Sequence, residues 1–151
     1  MNRLLLESAR KELSDLTEYV NKCNFDELTL YRKTANTFSQ LGALFNNFIK
    51  DPKTKEDELK NACIAFNNAF KHCAEMKQDY TDLKMLEYGP TLEFILPVTL
   101  GDVVVFRNAD YLKELKDIRN YNWYAKVLDG KRMDLILYEI KKIVGEIKWI
   151  I

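Results

Sequence analysis

Few side chains in this 151-residue chain could do chemistry, and the first of them is its only histidine, His72. His72 and Glu75 stand at i and i+3, a spacing that puts two metal ligands on one face of a helix. A di-metal bundle needs that pair twice, with further carboxylates, and no second imidazole exists to complete a histidine-pair site. A cysteine nucleophile needs a base within hydrogen-bond reach. His72 and Cys73 are neighbours on one helix and diverge by about 100°, so they do not form that pair. The acidic runs Glu56-Asp57-Glu58 and Asp79-Tyr80-Thr81-Asp82 lack calcium-loop spacing. No glycine-rich phosphate loop, GxSxG elbow or HExxH helix occurs. The expectation is a protein that is not an enzyme and holds no cofactor and no metal.

The basic residues carry more information. Lys and Arg number 23 and so do Asp and Glu, for a formal net charge of zero. Nucleic-acid binders usually carry a basic excess, so no nucleic-acid partner is expected. On a helix over 109–128, Lys116, Arg119 and Lys126 share one angular sector, while Asp110, Glu114 and Asp117 fall in another. Lys131 and Arg132 follow at a turn, and Lys141 and Lys142 on the next helix. These seven are the candidate contacts to anionic lipid, at about 1 kcal/mol per basic residue near a membrane surface. An ordinary solvated face is the competing reading.

Five glycines and three prolines leave little punctuation, which favours long helices. Leu6, Ala9, Leu13, Leu16, Val20 and Cys23 step by threes and fours, a heptad stripe on a helix from about Asn2 to Lys22. Asn24 reads as the next N-cap, with Glu27 closing a capping box. That second helix runs to about Lys50 with a wide apolar face: Leu28, Tyr31, Ala35, Phe38, Leu41, Leu44, Phe45, Phe48 and Ile49. Pro52 and Thr54 mark a third start, with acids at the positive helix end. Leu59, Cys63, Phe66, Phe70, Cys73, Met76, Tyr80 and Leu83 then form a stripe that meets no strong stop before Gly89-Pro90.

Residues 92–107 admit two structures. The favoured one is a helix kinked at Pro97. The alternative is a small hairpin, with β-branched Ile95, Val98 and Val103-Val104-Val105 around a Gly101-Asp102 turn. Helical spacing returns with Tyr111, Leu115, Ile118, Ala125 and Leu128. After Asp129-Gly130, a last helix carries Ile136, Ile140, Ile143, Ile147 and Ile150.

The length suits a single helical domain over 1–151, either whole or a piece of a longer helical one. Three cysteines without a CxxC pair, and no signal peptide, suggest a reducing, cytoplasmic setting. Cys63 and Cys73 on one helix would lie about 15 Å apart and could not bridge. No stretch reaches the roughly 20 apolar residues of a membrane span, so any membrane association is expected to be peripheral.

Phe38-Ser39-Gln40-Leu41-Gly42, Ala65-Phe66-Asn67-Asn68-Ala69-Phe70 with Glu75-Met76 and Leu83, Phe94-Ile95-Leu96-Pro97-Val98-Thr99-Leu100, and the run Tyr111 to Lys126 with Arg119, Tyr121 or Asn122, and Ala125 together resemble a known layout. It is that of BAR domains, in their sorting-nexin and ACAP/APPL-like branches, over about residues 5–130. The resemblance implies an all-α fold of long kinked amphipathic helices in an antiparallel coiled-coil bundle. It implies a non-catalytic homodimer that associates with anionic, endosome-like membrane surfaces and with protein partners, and that senses or makes curvature. The rival expectation is a compact helical protein-protein interaction module or inhibitor without a lipid role.

Overall fold

The computed structural model describes residues 2–22, 26–75, 92–95, 103–106 and 121–148. They are mostly helical: α1 (Arg3–Asn21), α2 (Glu27–Phe45), α3 (Lys55–Glu75), α4 (Tyr121–Val127) and α5 (Met133–Glu146), with strands β1 (Leu92–Ile95) and β2 (Val103–Phe106) between α3 and α4.

The first helix begins where a cap allows it. The Asn2 side chain accepts from the Leu4 and Leu5 amides at 2.8 and 3.3 Å, satisfying donors that an open helix end leaves without partners. Leu6, Ala9, Leu13, Leu16 and Val20 are all buried, as the heptad spacing predicts. Cys23 lies outside the described residues.

The second helix is capped by Asp26, not Asn24. Its carboxylate accepts from both the amide and the hydroxyl of Thr29, at 2.9 and 2.6 Å. The Tyr19 hydroxyl accepts from the Asp26 amide at 2.7 Å, which ties the end of α1 to the start of α2. The helix also stops five residues earlier than its apolar run suggests. Asn46 has φ 61° and ψ −67°, a γ-turn conformation closed by the Asn47 amide donating to the Phe45 carbonyl at 2.8 Å, and its own amide donates back to the Gly42 carbonyl. Phe48 and Ile49 therefore fall in the connection. Buried Asn61 holds that connection to α3: its Oδ1 accepts from the Ile49 amide at 2.8 Å and its Nδ2 donates to the Ile49 carbonyl at 2.9 Å.

Thr54 caps the third helix through the Asp57 amide at 3.1 Å, with Glu56, Asp57 and Glu58 in the first turn. The helix is described as far as Glu75; the rest of the stripe, Met76, Tyr80 and Leu83, lies outside the described residues. Gly42 of α2 sits against Asn67 of α3 so closely that a Cβ there would come to 2.5 Å from the Asn67 side-chain Nδ2.

Where they are described, at 92–95 and 103–106, these residues form strands and not the expected kinked helix. β1 and β2 pair antiparallel, with Leu92 opposite Phe106 and Ile95 opposite Val103. Pro97 and the Gly101-Asp102 turn lie outside the described residues. Two physical reasons favour strands. A consecutive valine run loses side-chain freedom in a helix and packs well on a pleated surface. The second edge of β2 is also bonded: the Phe106 amide donates to the Lys131 carbonyl at 2.9 Å, and the Gly130 amide to the Phe106 carbonyl at 3.0 Å. Gly130 makes this tight turn with φ 74°, where glycine carries no Cβ penalty.

The helices close on one another. α1 packs on both α2 and α5, α2 on α3, α3 on α4, and α5 on β2. Phe38, Phe66, Phe106 and Tyr124 meet at the centre, one each from α2, α3, β2 and α4, and all are fully buried or nearly so. Phe66 lies 4.5 Å from Phe38 and 5.2 Å from Phe106, both edge to face, and stacks on Tyr124 at 6.0 Å. On α5 the buried stripe is Met133, Leu137, Ile140, Ile143 and Val144. Ile136 and Ile147 are only partly buried against that core, and Ile150 lies outside the described residues. The inward face therefore shares Ile140 and Ile143 with the isoleucine repeat and is rotated from it by about 50°, half a residue step.

Candidate functional site

Five of the seven basic candidates are described; Lys116 and Arg119 lie outside the described residues. The five are not equivalent. Lys126, on α4, reaches across to Glu58 of α3 at 2.8 Å and lies 5.8 Å from the Trp123 ring centroid. It closes an α3–α4 contact. Arg132 immediately precedes α5 and grips Asp134 with two nitrogens, at 3.1 and 2.7 Å. Lys142 is shared between Glu139, at 3.5 Å, and the face of the Tyr138 ring, 4.4 Å from its centroid. Lys131 and Lys141 are exposed and form no ion pair among the described residues.

Burial of one side of α5 defines the other. With Met133, Leu137, Ile140 and Val144 turned into the core, the opposite side presents Leu135, Tyr138, Lys142 and Gly145, at spacings of three, four and three. Leu135 and Tyr138 are each 59% exposed, well above what large apolar groups average. Lys131 stands one turn ahead of Leu135. Glu139 and Glu146 flank one side of this strip and Lys141 the other, all exposed. Chemically it is an apolar and aromatic ridge set among ammonium groups. Leu135, Tyr138 and Gly145 were not singled out as candidates. Their three-four-three spacing is written in the sequence, but the stronger isoleucine repeat on the same helix masks it.

Among the described residues the chemistry-bearing side chains do not converge; those of His72, Cys73 and Glu75 lie outside the described residues. Cys63 is fully buried, and desolvation pushes its thiol far above the ordinary range, so it behaves as a small core hydrophobe and not as a thiolate. Among the described residues no group of three or more His, Cys, Asp or Glu side chains could hold a metal ion, and no helix is long and apolar enough to cross a membrane. Compared with family models, characterised proteins and solved structures, the chain matches none of them.

Proposed function

We propose that this chain is a non-catalytic, compact helical protein-protein interaction module that acts without a lipid role. One observation carries the proposal: the heptad stripe of α1 is consumed inside the chain. Leu6, Ala9, Leu13, Leu16 and Val20 are buried between α2 on one side and α5 on the other. A BAR-like scaffold needs such a seam for long-range helix pairing and for its second copy. It also needs a second helix that runs on through Pro97, where this chain has paired strands on either side. The basic residues fit the same proposal. Lys126, Arg132 and Lys142 already meet carboxylates of the same chain, which lowers what they can offer to phosphates.

Small-angle scattering with vesicle cosedimentation tests this. A monomer with a radius of gyration of about 15 Å, the value for a compact 151-residue chain, that stays in the supernatant with anionic vesicles supports the module. An elongated dimer would overturn it in favour of the BAR-like scaffold. So would pelleting with anionic vesicles that is lost when Lys116, Arg119, Lys126, Lys131 and Arg132 are all changed to Ala.

A further inference from the structure

We infer that the connection from α2 to α3 is a two-position switch: Asn61 clamps it in the turned form, and release of that clamp lets α2 wind on to Lys50. The inference does not depend on the interaction-module reading. It begins with the backbone at Asn46. A φ of 61° with a ψ of −67° is the rare, strained form of the γ-turn. Such a conformation persists only where its surroundings enforce it.

The enforcing group is on α3. Asn61 is fully buried, and its side chain bonds both the amide and the carbonyl of Ile49, at 2.8 and 2.9 Å. In a continued helix the Ile49 amide would donate to the Phe45 carbonyl, four residues back. That carbonyl now takes the Asn47 amide at 2.8 Å. The sequence favours the continued helix. Phe48 follows buried Leu41 and Leu44 at the same three-four step, so the apolar stripe of α2 runs past the point where the helix stops. Phe48 and Ile49 are half-buried, and neither glycine nor proline occurs at 46–50. The first breaker is Pro52, which disfavours helical backbone at Asp51. The Asn46 amide already donates to the Gly42 carbonyl as in a helix. Winding on therefore starts from the ψ of Asn46 and ends at Lys50, and residues 51–54 still join it to α3. Local preference and tertiary contact disagree over these five residues, the condition for two competing arrangements.

The test uses the full chain, with backbone carbon shifts at 46–50 and hydrogen exchange at the Ile49 amide. Wild type should show no helical shifts there and a protected amide. Asn61→Ala should let the segment pass between its two forms, with exchange about tenfold faster. Adding Asn46→Ala, a good helix former that resists positive φ, should settle the wound form: helical shifts through Lys50, and exchange about tenfold slower again. Adding Asn46→Gly instead should restore the turned form, because glycine accepts this φ and disfavours helix. A double Ala variant with coil-like shifts and still faster exchange would overturn the switch, since the connection would then simply melt. Shifts unchanged from wild type would overturn it too. Should the double variant fail to fold, Asn46→Ala alone decides: its shifts at 46–50 must move towards helix, and no movement refutes the inference.

Discussion

The junction of α3 with β2 can be weighed by a double-mutant cycle. The Phe66 and Phe106 rings are 5.2 Å apart and edge to face at 88°, and neither is exposed to solvent. Truncating Phe66 to Ala removes a buried ring and leaves a cavity, for about 3–5 kcal/mol. Against a typical domain stability of about 5–15 kcal/mol, that loss lowers the melting temperature by on the order of 10 °C. Leucine keeps most of the apolar volume and removes only the ring geometry. Phe66→Leu, Phe106→Leu and the double variant should therefore show a coupling of about 0.5–1.5 kcal/mol, measured by urea denaturation. A coupling below about 0.3 kcal/mol, within ordinary additivity error, would mean that β2 does not sit on α3. A Phe66→Ala loss under about 1 kcal/mol would mean that the stripe of α3 is not core.

Other contacts give sharp outcomes. The Arg10 guanidinium donates to the carbonyls of Val144 and Ile147 at 3.1 and 2.8 Å, so Arg10→Met should cost about 1.5–3 kcal/mol in thermal or urea unfolding, with Arg10→Lys recovering part of it. Asn61→Ala leaves the Ile49 amide and carbonyl without the partners they have now; about 1–3 kcal/mol should be lost, and hydrogen exchange at the Ile49 amide should quicken. The bonds from Thr29 hold the Asp26 carboxyl below its ordinary value of 3.8. Its contribution is therefore present above the unfolded pKa and lost as pH falls through the lower folded one. An NMR titration that finds Asp26 at or above 3.8, or unmoved by Thr29→Val, would refute that account.

Features of local origin could be read from the sequence, and those set by distant partners could not. The buried stripe of α1 and the Thr54 cap depend on residues within a turn or two, and both appear where spacing puts them. The cap of α2 was misplaced because Asn24 and Asp26 are both competent capping residues. What distinguishes them is the Thr29 hydroxyl as a second donor, together with Tyr19 from another helix. Pro97 fits a kinked helix and a hairpin equally well, and the second edge of β2 is satisfied by a turn some 25 residues later in the chain. Lys126 looked like one of a free basic row; its partner, Glu58, is 68 residues away in sequence.

A heptad repeat states that a helix has a seam and is silent about whose helix fills it. In this chain the α1 seam is filled twice over from within, by α2 and by α5. Arg10 fixes the second of these contacts by capping the far end of α5. Once α5 is held there, its second repeat has only solvent to face among the described residues. Two repeats a few positions out of phase on one helix therefore have different consequences. The Met133-Leu137-Ile140-Val144 side stabilises the fold, so its loss should appear in unfolding experiments. On the outward side, altering Leu135, Tyr138 or Lys142 should leave stability nearly unchanged, because exposed side chains contribute little to it. A stability scan along α5 that follows burial with that three-four alternation would establish that the outward repeat is available for binding. Equal sensitivity on both sides would show that the outer repeat is already buried by this chain or by a second copy.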